Sequence, residues 1–166
     1  MQIFYIQLIE HREIDPYRIV VFDLETMQHH ALDPLQPEKR EHQPNFIAAR
    51  IACPGCIENG NWRRGTAGCQ ICGPHRMVAF CQRRFADTIV DKQIVGENPL
   101  EAFVDWLVYK LPKKYETYAY SHFGGRFDMV LVFRELFRIG FNPEMLRRGN
   151  KMYEMKIRKQ KQRNPN

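Results

Sequence analysis

Cys53, Cys56, Cys69 and Cys72 stand as CPGC, twelve intervening residues and CQIC, and this spacing constrains the chain more than any other feature. Each CxxC turn presents two thiolates on one side of a tight loop, and four such thiolates complete a tetrahedral Zn²⁺ shell. Glycines at 55, 60, 65, 68 and 73 supply the sharp turns a knuckle needs. The competing outcome is a pair of disulfides, which an intracellular setting and adjacent CxxC pairs disfavour. His75 is near enough in sequence to be a substitute ligand, but four cysteines already close the shell. The zinc is therefore expected to be structural, and Cys81 to be a small core residue. Arg63, Arg64 and Arg76, with Arg83 and Arg84 just beyond, surround this excursion. They suit a nucleic-acid backbone and a solvated surface equally.

The second feature is VVFDLET, residues 20–26. Residues 18–24 read as a strand buried on both faces, because Ile19 and Val21 on one side and Val20, Phe22 and Leu24 on the other are all apolar. In a strand Asp23 and Glu25 point the same way. Such a like-charged pair is unfavourable unless a cation neutralises it, and Mg²⁺ or Mn²⁺ suits two hard carboxylates. The alternative is a strand running out into a polar turn.

The remaining elements follow from pattern. His29–Pro44 reads as loop, Asn45–Ala52 and His75–Cys81 as strands. Asn98, Pro99 and Glu101 supply an N-cap, a first-turn proline and a capping-box acid for a helix reaching Leu111, with Leu100, Phe103, Val104, Leu107 and Leu111 as its buried stripe. Thr117–Ser121 reads as a short strand, and Phe127–Arg138 as a helix with Val130, Phe133 and Phe137 on one face. YSHFGGRFDMVLVF, residues 120–133, sets Asp128 in the first turn of that helix, directly after a strand and a double glycine. A strand acid pair plus an acid opening a later helix is one way a two-metal site collects its ligands.

At 166 residues the chain has the size of one domain, residues 1–157, with a basic tail at 158–166 and the knuckle, 53–72, inserted. Its net charge of +6 is concentrated: from Met145 onward there are eight Lys or Arg and one acid, which leaves the rest at −1. The tail reads equally as a phosphate-tracking segment, a solvated linker or the end of a piece of a longer chain. No apolar run approaches a membrane span, and MQIFYIQLIEHRE lacks the features of a signal peptide, so an intracellular protein of nucleus or cytoplasm is expected, with no membrane partner.

FDLET and HFGGRFDMVLVFREL resemble the first and second exonuclease motifs of family B DNA polymerases. The resemblance is closest to the protein-primed branch found in Polinton (Maverick) transposons, viruses and organellar plasmids. There a CxxC…CxxC excursion can separate the two motifs, followed by a helix like PLEAFVDWL; order and spacing match over roughly Arg18 to Tyr153. This resemblance implies a ribonuclease-H-like α/β exonuclease fold, a mixed sheet flanked by helices. It also implies a 3′→5′ site in which Asp23, Glu25 and Asp128 hold two Mg²⁺ or Mn²⁺ ions, while Thr26, Gly124 and Gly125 lie beside the terminal nucleotide of a single-stranded DNA 3′ end. Two departures stand out. The positions before Asp128 are Ser121, His122 and Phe123 where the family has an asparagine, and its third motif, Tyr-x-x-x-Asp, does not occur. The expectation is an exonuclease-like domain that is weak or inactive alone. The alternative is a scaffold or binding module retained from such a polymerase, with a nucleic-acid or protein partner, or a second copy, covering faces such as Phe133 and Phe137.

Overall fold

Strand β1, Tyr17–Met27, alternates strictly: Arg18, Val20, Phe22 and Leu24 are buried, while Val21, Asp23 and Glu25 are exposed. The computed structural model describes residues 16–29, 31–63, 68–85, 90–121, 127–149 and 151–157. Within that frame the expectation that β1 is buried on both faces is corrected. Val21 is 54% exposed, because the packed helices cover one side of the sheet.

After β1, the stretch expected to be loop instead holds a hairpin, β2 (Ala31–Asp33) and β3 (Gln36–Arg40). Its turn is fixed by the Leu35 N–H donating to Asp33 Oδ1 at 2.9 Å, the local side-chain bond for which Asp is favoured in turns. Then come β4 (Gln43–Ala52), the short helix α1 (Pro54–Glu58), β5 (Met77–Cys81), β6 (Lys92–Val95), helix α2 (Pro99–Asp105), β7 (Glu116–Ser121), helix α3 (Asp128–Arg138) and the hairpin β8 (Glu144–Arg148) and β9 (Lys151–Lys156). The basic segment from Met145 is thus partly a folded hairpin, turned at Gly149 with φ of 58°. Residues 158–166 lie outside the described residues.

The main sheet runs β6-β5-β4-β1-β7. β4 is antiparallel to both β1 and β5, β6 is parallel to β5, and β7 is parallel to β1. This is a mixed α/β architecture with β4 alone running against the others. Registers place β7 so that Ser121 sits beside Phe22, one residue short of Asp23.

The core lies between the even-numbered face of β1 and helices α2 and α3. Asn98 caps α2 as its pattern predicts, its Oδ1 accepting from the Glu101 N–H at 3.2 Å. Phe103 is fully buried between Phe22, ring centroids 4.9 Å apart, and Phe80, 5.5 Å apart. The helix ends in a wide π turn, Trp106–Lys110, closed by the Leu111 N–H on the Trp106 carbonyl. The extra residue in that turn advances the buried position, so Val108 is buried where Leu107 was expected, and Leu107 is only partly so. On α3 the buried apolar side chains are Leu131, Val132 and Leu136, joined by the buried acids Asp128 and Glu135. The expected face of Val130, Phe133 and Phe137 points outward: Phe137 is 64% exposed, with its ring stacked on Phe133. Glu135 accepts two bonds from Arg138, which also reaches Glu101 and so ties α3 to α2.

Arg18 is the exception in the buried row. It is 1% exposed, and its guanidinium donates to Thr117 Oγ1 at 2.8 Å, the Ile71 carbonyl at 2.6 Å and the Pro112 carbonyl at 2.7 Å. Burial lowers its pKa, opposed by the attraction of Cys72 and Tyr115. Arg18→Ala should destabilise the chain by about 3 kcal/mol or more, since it leaves buried acceptors unmet as well as a cavity. Arg18→Lys should recover little, because an ammonium cannot reproduce the planar fork. Chemical denaturation of the three proteins at equal metal loading checks this.

Candidate functional site

The four cysteines are positioned by two different backbone devices. Cys53 is the N-cap of α1 and Cys56 lies in its first turn, with the Ile57 N–H donating to the Cys53 carbonyl at 3.0 Å. Cys69 and Cys72 lie in a tight loop closed by a two-way bridge. The Gly73 N–H donates to the Cys69 carbonyl at 2.7 Å, and the Cys69 N–H to the Gly73 carbonyl at 3.0 Å. Gly73 has φ of 86°, a left-handed conformation that a side chain would strain.

All four sulfurs lie within 4.8 Å of one another. Cys53 Sγ is 3.8 Å from Cys69 Sγ, and Cys56 Sγ is 3.8 Å from Cys72 Sγ. A tetrahedron with Zn–S bonds of about 2.3 Å has edges of about 3.8 Å, so the sulfurs already hold the spacing of a ZnS₄ shell. All four are free thiols rather than paired in disulfides, and three of them are buried. The group can therefore hold a metal ion such as zinc, and with four protein ligands such a site is a closed one. His75 is not part of it.

The thiols do not ionise alike. On Cys69 burial opposes the charged form, but N–H groups of Cys72 and Ile71, together with the Cys56 and Cys53 thiols, outweigh it and hold the pKa down at about 7. On Cys72 and Cys56 burial dominates and pushes the pKa up. One thiolate thus forms near neutrality, while burial holds Cys56 and Cys72 in the thiol form until a cation neutralises them.

Among the arginines around this centre, Arg76 is structural. It is 1% exposed and donates to the carbonyls of His75 and Gly73, which removes it from any surface role. Asp91 Oδ2 accepts from the backbone N–H groups of Arg76 and Met77, each at 2.9 Å. Arg63 stacks over Trp62 at 5.0 Å from the ring centroid, Arg50 lies 5.8 Å from the same ring, and Arg84 lies over Phe85. Arg64 lies outside the described residues. Cys81 is a core residue, fully buried, and its thiol is pushed up by burial.

The acid motifs share one end of the sheet without converging. Asp23 and Glu25 are exposed on the odd face of β1, at its carboxyl end. Asp128 is 2% exposed, at the first position of α3. Between them Thr26 Oγ1 lies 3.1 Å from His42 Nδ1, and the His42 ring packs edge-on against Phe127 at 4.7 Å. This chain of contacts brings the start of α3 to the end of β1. Yet among the described residues the four cysteines are the sole group of three or more Cys, His, Asp or Glu whose ligand atoms lie within 4.8 Å of one another. Asp23, Glu25 and Asp128 are not part of that group. Gly124 and Gly125 lie outside the described residues.

Arg18 and His42 were not singled out by the sequence. Arg18 carried a signal, a cation in phase with Val20, Phe22 and Leu24; nothing local marks His42. Comparison with protein-family models finds no match to this chain, and neither does comparison with curated proteins.

Protein purified without added metal is expected to carry one Zn²⁺ per chain by elemental analysis. Loading the metal-free chain should release about one proton fewer at pH 8 than at pH 6, because Cys69, with its pKa of about 7, passes from thiol to thiolate between them. Calorimetry in buffers of different ionisation enthalpy measures that difference.

Proposed function

We propose that the chain is an exonuclease-like domain of ribonuclease-H-like fold, derived from a protein-primed family B DNA polymerase. In this reading it engages single-stranded DNA 3′ ends and hydrolyses them weakly or not at all by itself. One observation carries the reading. The two acid motifs occupy corresponding places on neighbouring parallel strands, Asp23 and Glu25 at the carboxyl end of β1 and Asp128 at the start of the helix that follows β7. The carboxyl ends of adjacent parallel strands are where open α/β sheets place ligands. The order β5-β4-β1-β7 with β4 alone reversed agrees with it, as does a four-cysteine insertion between the motifs. Weak hydrolysis is expected because the water-orienting Tyr-x-x-x-Asp does not occur in these residues: misplacing groups by an ångström removes much of the advantage of holding reactants in line.

The test is divalent-ion binding and 3′→5′ degradation of labelled single-stranded DNA, with Asp23→Asn and Asp128→Asn alongside the parent chain. Mn²⁺ binding is expected in the parent and should be lost in Asp23→Asn, which should fold as well as or better than the parent without metal, since a like-charge repulsion is removed. Degradation should be at the limit of detection. Rapid Mg²⁺-dependent trimming that Asp23→Asn abolishes would refute the weak-hydrolysis part, and absence of any divalent binding would refute the inherited metal site.

A further inference from the structure

The face of the sheet that carries Val21 and Asp23 is open along β1 and β7, and its side chains form ordered rows. Registers place Met77 of β5, Arg50 of β4, Val21 of β1 and Tyr120 of β7 side by side. On one side of this row lie Ile19 and Tyr118, and on the other Ala79, Ala48 and Asp23. Tyr118 is 46% and Tyr120 55% exposed. The small side chain of Ala48 leaves a shallow depression between Arg50, Met77 and Tyr120 that reaches Asp23.

From this surface we infer a binding platform for single-stranded nucleic acid, with bases stacked on Tyr118 and Tyr120 and the phosphate backbone met by Arg50 and Arg63. The inference deepens the function proposed above, supplying the path by which a strand approaches the acid end of β1. Its support is fivefold. Exposed aromatic rings on an open sheet face give bases a sequence-tolerant stacking surface. Tyr118 is already held for that use, its hydroxyl donating to Glu116 Oε2 at 2.7 Å and its ring packed edge-on against Tyr17 at 5.8 Å. Same-face neighbours on a strand stand about 6.6 Å apart, roughly twice the 3.4 Å rise of stacked bases, so one base per tyrosine requires an unstacked, extended strand and excludes a duplex. Charge is complementary at the edge of the depression, where Arg50 and Arg63 flank Trp62 of the metal-binding insertion. Tyrosine rather than leucine or isoleucine at the exposed positions also suits a wet, polar ligand better than a buried protein interface.

The experiment is fluorescence anisotropy of a labelled oligothymidine with the full zinc-loaded chain, in buffer without Mg²⁺ or Mn²⁺, so that failure of the divalent site leaves it unaffected. Single strand should bind more tightly than duplex of equal length. Tyr120→Ala should weaken binding about tenfold, while Tyr120→Phe, which keeps the ring, should not. Arg50→Gln should lower the slope of log affinity against log salt by about one. Zinc content and thermal melting of each variant establish that it is folded. If Tyr118→Ala and Tyr120→Ala are folded and bind within twofold of the parent, or if duplex competes equally, the platform is refuted and binding belongs to the basic segments. Self-association in sedimentation that Tyr120→Ala abolishes, with no oligonucleotide binding, would refute it in favour of a second copy on this face.

Discussion

The buried guanidinium of Arg18 links the β1–β7 pair to the loop before β7 and to the metal-binding insertion. Its three acceptors come from β7, from the loop before β7 and from Ile71, which lies between two of the metal-binding cysteines. Burying a cation without a carboxylate partner is unfavourable unless every donor finds an acceptor. Here two carbonyls and a hydroxyl meet it, and Cys72 adds a favourable interaction with the charge. Four thiolates around one divalent ion leave a net negative cluster, so loading the metal strengthens the electrostatic setting of Arg18. A metal held by these thiolates would in this way be energetically coupled to the β1–β7 junction. The acid motifs depend on that same junction.

One-sided burial of β1 decides what the rest of the surface can do. Even-numbered residues face α2 and α3, and a one-residue slip would move Asp23 and Glu25 into the core. The pairings of Phe22 with Ala49 and with Ser121 hold the register on both sides. Phe103, wedged between Phe22 and Phe80, locks the helix onto the buried face. Loss of that ring would remove a shared contact of two strands and the helix, on the order of 3–5 kcal/mol for Phe→Ala in a core. Asp23 and Tyr120 remain at the surface because this packing faces their neighbours inward.

What could be read from the sequence divides along physical lines. The cysteine spacing and the Asn98 cap were legible because both are local, set by a few residues whose geometry does not depend on distant packing. The helix at Asp128 and strands β1, β4, β5 and β7 were legible from apolar pattern alone. The exposure of Val21 was not, since a fully apolar strand says nothing about which face the helices will cover. The hairpin at Ala31–Arg40 was missed because its residues are polar on both sides and little of it is buried. The shift from Leu107 to Val108 comes from a π turn that no residue type announces. The acid motifs were found, but their convergence was not settled by spacing: it depends on how a buried helix start meets an exposed strand face.

That last geometry has an electrostatic consequence. The open face carries rings and arginines toward the amino-terminal half of β1 and bare carboxylates, Asp23 and Glu25, toward its other end. A phosphate chain drawn along Tyr118 and Tyr120 is attracted at the first region and repelled at the second. A divalent cation between the carboxylates and the incoming phosphate would reverse the sign of that repulsion. By linkage, whatever factor the cation adds to strand affinity the strand must add to cation affinity. The carboxylates would thus hold their ion more tightly in the company of a strand than in the free chain. An exposed, mutually repelling acid pair next to an aromatic platform would thus bind cation and strand cooperatively.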